Sequence, residues 1–488
     1  MIRPTVSAVR RAVCAATVVV TCALAAASCR RGTPASAPSG PLPAGLTTRP
    51  ATVAVAGHRR MPPNDAGPIP PLLSQTGTFD NLRALAPADS LLAYDVNVPF
   101  WSDGATKQRW VALPGGGGRP AKIRFAATGA WGFPVGTVFV KHFELPAGTG
   151  GPPHADRLGR GRRVETRLLV RDDAGGIYGA SYRWRDDESD AGLVREGHVE
   201  ALAEDGPDGR RQRPWYFPGP ADCRVCHTAA AGYVLGINAR QLNRDAPPPA
   251  TVGGADRPTE HPFTENQLVA WDRLGLFEPR LPAAGLAGVP KLSPADDSAA
   301  SLEARARSYL DANCAHCHRP GGSPGSFDAR FEAPLAAQNL VGGPVMIDLG
   351  VDRARVIAPN DEWRSTLLTR LTTLEQPKMP PLGHEVLDAR GAALVREWVR
   401  SLPGPAVLAP PTIDPPGGTF PGTVRVRLSH DDPAAVLRYT LDGSVPTASA
   451  AVYQEPIDVG RPTTVRAKAF KPGATRSVTA QQTFIVAD

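Results

Sequence analysis

Cysteine is scarce in this chain. Seven are present in 488 residues, and three of them (Cys14, Cys22 and Cys29) fall within the first 29. The four that remain are too few for the disulfide-dense framework of a small exported domain. Methionine is scarcer still, at four (Met1, Met61, Met346, Met379), and aromatic residues make up 6%. Beyond residue 28 no apolar run approaches the roughly 18 residues that a membrane helix needs. The net charge of +7 comes without a dense basic run or a basic stretch interleaved with aromatics. It reads as a solvated basic surface, and nucleic acid is set aside as a partner.

What is present begins with a leader. MIRPTVSAVRR carries three arginines and no acid, and the apolar, small-residue run 12–28 follows it. A basic n-region before an h-region is an export signal rather than a membrane span. It ends in AASC, which makes Cys29 a candidate for lipid attachment after cleavage. Lipoprotein signals usually place Leu three residues before that cysteine, where this chain has Ala26, so cleavage without lipid is the alternative. Residues 30–70 are rich in Pro, Ala, Ser and Gly and read as a solvated tether. The length implies about three further domains.

The four body cysteines form two C-x-x-C pairs, Cys223/Cys226 in CRVCH and Cys314/Cys317 in CAHCH. A disulfide framework would staple distant segments rather than close two four-residue loops. Zinc ribbons also use two such pairs, but normally about 15–20 residues apart. Here 87 residues lie between Cys226 and Cys314. A thioredoxin-like site needs C-x-x-C in a βαβ setting and has no use for a trailing histidine. C-x-x-C-H, twice, in an exported chain, is the attachment pattern of c-type haem. Each thiol adds to a vinyl group, and the next residue offers its imidazole to iron. Two covalent haem c groups are therefore expected, anchored by these four cysteines and ligated by His227 and His318. His316, between the second pair of thiols, reads as an exposed filler.

Each iron has a sixth position. Met379, in EQPKMPPLG, lies 61 residues after His318 on a loop stiffened by prolines. That frame suits a thioether ligand for the second haem. Met346 reads as strand packing. No methionine follows His227 before Met346, and His261 is the only histidine between residues 228 and 315. His142 (VFVKHFEL) and His198 (REGHVE) lie upstream in strand-like text. His142 ranks first for the first haem, because alternation puts it on the face of Val138 and Val140. An open iron is the other reading.

The flanks complete a multidomain chain. Residues 71–215 read as a β-rich domain, with VETRLLVRDDAGGIYGASYRW as a hairpin. Residues 216–290 are a first, mainly α haem segment, with a helix over 264–277 capped by Thr264 and Gln267 and stopped at Gly275. Residues 291–404 carry the second haem between two amphipathic helices, 301–314 and 386–402, and this region resembles a small monohaem cytochrome c domain. YDVNVPFWSDGATKQRW, VETRLLVR, YRWRDDESDAGLV, PADCRVCH, RARSYLDANCAHCHRPGG and MPPLG occur in this order. Over residues 72–402 that order resembles a family of exported bacterial dihaem c-type cytochromes. The resemblance implies two covalent haems and an electron-transfer role.

After a Pro-rich linker, residues 405–488 read as short alternating strands of a β-sandwich. YTLDGSVPT, a tyrosine, a short strand and VRAKAF resemble the immunoglobulin-like module at the C-terminus of chitobiase and β-hexosaminidases. There it is accessory, so no glycosidase activity follows; a spacer is the plainer reading and glycan contact the weaker one. The expectation is an exported carrier, periplasmic or anchored to the outer membrane as a lipoprotein through Cys29. It would exchange single electrons with redox partner proteins, and no residue is assigned a catalytic role. The alternatives are a dihaem peroxidase-like oxidoreductase with an open first haem, and a glycan-surface binding protein.

Overall fold

The computed structural model describes residues 60–89, 91–116, 119–145, 161–206, 209–245, 265–322 and 325–487. The leader, most of the tether, Cys29, His261 and Thr264 lie outside them. No helix among the described residues is long and apolar enough to cross a membrane.

The β-rich part is a six-stranded antiparallel meander. Its strands are β1 (Leu92–Ala93), β2 (Thr106–Ala112), β3 (Val138–Leu145), β4 (Arg162–Arg171), β5 (Ile177–Trp184) and β6 (Ala191–Val194). β4 and β5 form the hairpin read from the sequence, with Arg171 opposite Ile177. Its turn is held by the Gly176 N–H on Asp172 (2.6 Å), with Gly175 at φ 80°. One face of the sheet buries Trp110, Val138, Val140, Leu168, Tyr178, Tyr182 and Trp184 against Met61, Leu73 and Leu91. The other face also meets protein, so VFVKHFEL has no solvent side. Two longer strands, β7 (His198–Gly206) and β8 (Gly209–Phe217), pair as a separate ribbon that delivers the chain to the first cysteine motif.

Six short or medium α-helices follow. α1 (Pro220–Cys226) starts on a proline at its first turn, where the missing N–H costs nothing. α2 (Ala239–Leu242) and α3 (Gln267–Arg273) complete the first segment. The cap of α3 is Asn266, whose side chain accepts the Leu268 N–H (3.0 Å), and not the expected Thr264–Gln267 box. Gln267 instead bonds Asp95. α4 (Leu302–Cys314) is capped by Ser301 on the Ala304 N–H (3.1 Å) and buries Ala306, Tyr309 and Leu310, the face its spacing predicts. α5 (Thr366–Leu371) precedes the methionine loop. α6 (Ala389–Ser401) begins three residues later than its periodicity suggested, because Asp388 caps the Gly391 N–H (2.8 Å). Leu387 is left exposed. α6 crosses α4 at Gly391, where a Cβ would meet the Tyr309 ring at 2.3 Å.

Residues 412–486 form a sandwich. β9 (Thr412–Asp414), β11 (Val424–Ser429) and β14 (Ile457–Val459) make one sheet; β10 (Gly418–Phe420), β12 (Val436–Thr440), β13 (Ala451–Val452), β15 (Thr463–Phe470) and β16 (Ala480–Val486) make the other. Val426, Val465, Ala467 and Phe484 fill the space between them. The Pro-rich segment before it is no free linker. Leu408 and Ala406 exchange backbone hydrogen bonds with Thr475, and Thr412–Asp414 is itself a strand.

Candidate functional site

The two cysteine motifs share a local geometry. The His227 N–H bonds the Cys223 carbonyl (3.0 Å), and the His318 N–H bonds the Cys314 carbonyl (2.8 Å). Each C-x-x-C-H therefore wraps one helical turn, presenting two thiols and an imidazole together. α1 is held for this by Asp222, which accepts the Gly219 N–H (2.9 Å) and the Tyr216 hydroxyl (2.7 Å). None of the four cysteines is in a disulfide.

The fold brings the motifs side by side. The thiols of Cys226 and Cys317 are hydrogen-bonded to each other, and with His316 they offer three donor atoms within 4.8 Å. The Arg319 guanidinium, one residue past the second motif, bonds the Ala230 carbonyl just past the first (3.1 Å). His316 is buried with its ring edge-on to Phe100 (5.6 Å), so it is no exposed filler. Burial raises the Cys223 thiol, and the Cys317 contact with burial raises Cys226. Burial lifts Cys314 to about 12.

YDVNVPFWSDG is the clamp that fixes this arrangement. Asn97 donates to the carbonyls of Arg240 and Asn243 (both 3.0 Å), and Val98 exchanges two bonds with the Gln241 side chain. Trp101 then bonds Asn313 through its N–H (2.7 Å) and Val386 through its indole (2.9 Å). Asp103 accepts the N–H groups of Glu385 and Val386. One loop of the β domain thus grips both motif-bearing segments. Between the segments, Arg240 pairs with Asp311 (2.8 Å) and Glu332 (3.3 Å), all largely buried.

A cavity opens over the first motif; it offers about 220 Å³ to the centres of water-sized spheres. Cys223, Cys226 and His227 line one side, and β2–β5 line the other. Cys223 rests on Gly179 of β5, where a Cβ would stand 2.3 Å from its sulfur. The His227 Nδ1–H donates to the Tyr233 carbonyl (2.6 Å). That bond leaves Nε2 as the nitrogen with a free lone pair, the arrangement a metal-ligating histidine uses. Burial, with Lys141, His316 and Arg167 nearby, lowers His227 to about 3, against the pull of the carbonyl bond. Two thiols and a neutral imidazole of fixed tautomer, set together at the wall of one cavity, are the donor set that a covalent haem uses.

At the second motif, His318 stacks on Phe327 (4.2 Å, 14°), and burial lowers its pKa. Its Nδ1 has no hydrogen-bond partner among the described residues. Arg370, whose charge reaches His318, accepts the Met379 N–H at its carbonyl (3.0 Å). The Met379 carbonyl in turn takes His384 Nδ1–H (2.9 Å), and Lys378 bonds the His384 carbonyl (3.1 Å) and Glu385 (2.7 Å). The methionine loop is therefore pinned on both sides. Met346 is 73% exposed and in no strand, contrary to its expected packing role.

His142 does share the face of Val138 and Val140, but that face packs into the core and His142 does not line the cavity. Its ring bonds Thr166 (2.8 Å) and Glu144 (3.2 Å) and stands edge-on to Trp184. With both nitrogens engaged on the far side of the sheet, it is not placed to reach an iron at the first motif. His198 is exposed and stacks on Phe217. The cavity side of the sheet instead carries cations that the sequence reading passed over: Lys107, Arg109, Lys141 and Arg167. The signal was a lysine inside an apolar strand, VFVKHFEL.

Residues 415–481 match the family described as Chitobiase/beta-hexosaminidase C-terminal domain. The match lies on strands β10–β16 of the sandwich, remote in sequence from both cysteine motifs. No curated protein matches the chain.

Proposed function

We propose that the chain is an exported dihaem c-type cytochrome that passes single electrons between redox partner proteins. The observation that carries the reading is the meeting of the two C-x-x-C-H turns at Cys226 and Cys317. Groups bonded to those thiols would be held close together, and electron transfer is fastest across short gaps. When bound, each haem supplies a one-electron iron couple. Cys223 and Cys226 would hold the first haem and Cys314 and Cys317 the second, with His227 and His318 as the imidazoles offered to iron. Met379, its backbone pinned between Arg370 and His384, would offer its thioether to the second haem, where a methionine ligand raises the potential.

The loop 97–103 and the Arg240–Asp311 pair keep the two attachment turns in one rigid relation, so little rearrangement accompanies a change of charge. The leader and Cys29 give the route: export, with periplasmic residence or an outer-membrane lipid anchor. The C-terminal sandwich is a spacer in this reading. A pyridine haemochrome assay and intact mass of the exported protein test it. Two covalent haems per chain are expected, both reduced and reoxidised in single-electron steps. A chain that leaves its export host with free thiols and no haem sinks the proposal.

A further inference from the structure

We infer that Lys141 supplies the sixth ligand, a nitrogen, to the haem held by Cys223, Cys226 and His227. The inference rests on the dihaem reading above and replaces His142 in it.

Strand register sets the direction. Lys141 on β3 stands between Arg109 on β2 and Arg167 on β4, in one cross-strand row. Alternation turns this row toward the cavity, as it turns His142 away. Lys141 therefore looks across the cavity at the motif that carries His227, and its charge is felt at both Cys226 and His227.

The neighbouring cations are occupied and Lys141 is not. Arg109 pairs with Asp95 (3.1 Å), and Arg167 forms two 2.8 Å bonds with Glu165. Lys107 donates to the carbonyls of Phe100 (2.8 Å) and Ala105 (3.3 Å). The Lys141 side-chain amine makes no hydrogen bond or ion pair with any described residue. An amine that lines a cavity with no partner of its own is free to meet a group that the polypeptide does not provide.

Other donors at the cavity are spoken for. No methionine lines it, and His316 is packed against Phe100 beside the second motif. An amine binds iron only after its ammonium has released a proton to solvent. The surroundings favour that release. Burial comes first, then the charges of Arg109 and Arg167, which together outweigh Glu165 and Cys226 and bring Lys141 to about 7. An amine on the iron also closes the face that a peroxidase would keep open.

The test uses the exported holoprotein and Lys141→Arg, which keeps the cation but offers no lone pair. Ferric electron paramagnetic resonance, near-infrared magnetic circular dichroism and carbon monoxide titration of the reduced protein are the readouts. Expected are two low-spin haems and no carbon monoxide uptake in the unmutated protein. In Lys141→Arg one haem turns high-spin and takes one carbon monoxide per chain, with haem content still two and the Met379-dependent signal unchanged. Lys141→Met is the second variant: a thioether there keeps the haem low-spin but replaces the nitrogen-ligand signature by a methionine one. A high-spin first haem in the unmutated protein, or both variants matching it, overturns the assignment. Failure of the dihaem reading looks different, because the unmutated protein would then give no haemochrome at all.

Discussion

Replacing Arg240 by methionine tests how the two motif-bearing segments are held together. Arg240 sits on α2 in the first segment and Asp311 on α4, one turn before Cys314. Their side chains are 7% and 3% exposed, with nitrogen and oxygen 2.8 Å apart. At an effective dielectric of about 20, that separation corresponds to a gross attraction of about 6 kcal/mol. Desolvation offsets most of it, so the intact pair adds little net stability. The mutation, however, leaves Asp311 charged and largely buried, with the Phe331 N–H (3.0 Å) still bound to it. Breaking such a pair costs about 3–5 kcal/mol, against about 0–1 kcal/mol for a solvated one. Urea unfolding of the full chain measures this directly. Arg240→Met with Asp311→Leu should recover more than half of the loss, since no charge is then stranded. A cost below about 1 kcal/mol for Arg240→Met alone would show that water reaches the pair and refute the reasoning.

Three further outcomes follow from single contacts. Gly179→Ala drives a methyl into Cys223, so it should cost about 1–3 kcal/mol and lower haem occupancy at the first motif while sparing the second; unchanged haemochrome and melting disprove the contact. His384→Ala removes the bond to the Met379 carbonyl and should cost about 1–3 kcal/mol; under the dihaem reading, the absorption spectrum should also show part of the second haem without a methionine ligand. His142 is held below its ordinary pKa by burial, so the unfolded chain binds the extra proton first as pH falls below about 6.5. Stability should therefore decline from there downward, and His142→Gln should flatten that decline by up to about 1.4 kcal/mol per pH unit in pH-dependent unfolding.

Local patterns were legible in the sequence and non-local ones were not. The hairpin about Asp172–Gly176, the helix ending in Cys314 and the sandwich strands each rest on residues close in the chain. The juxtaposition of Cys226 and Cys317 rests on the loop 97–103 reaching residues 241, 313 and 386, which no periodicity announces. His142 illustrates a subtler limit. Its face was read correctly from alternation, yet β3 is buried on both sides. Burial then ceases to say which side meets a ligand. The informative residue was the charged one in the apolar run, because a lysine there marks a side of the strand that is not packed core.

The cluster of Cys226, His316 and Cys317 also has the donors of a zinc site, and its geometry bears on the choice between the two chemistries. A structural zinc takes four ligands, usually from both pairs of cysteines. Here Cys223 is not among the clustered donors; it is seated against Gly179 and lines the cavity. Cys314 is likewise outside the cluster, packed with the buried residues around Leu310 and Leu340. Three ligands would leave an open coordination position and would make no use of His227 or His318. Under the haem reading every member of both motifs has a task, and the thiol contact is where two attached groups meet. The expected metal content is two iron atoms and no zinc per chain, with all four thiols resistant to alkylation after denaturation. One zinc per chain, released by a chelator together with four reactive thiols, would reverse the choice. Cys226→Ser separates the cases again: it removes one thioether and leaves the second haem intact, whereas a zinc cluster would be lost whole.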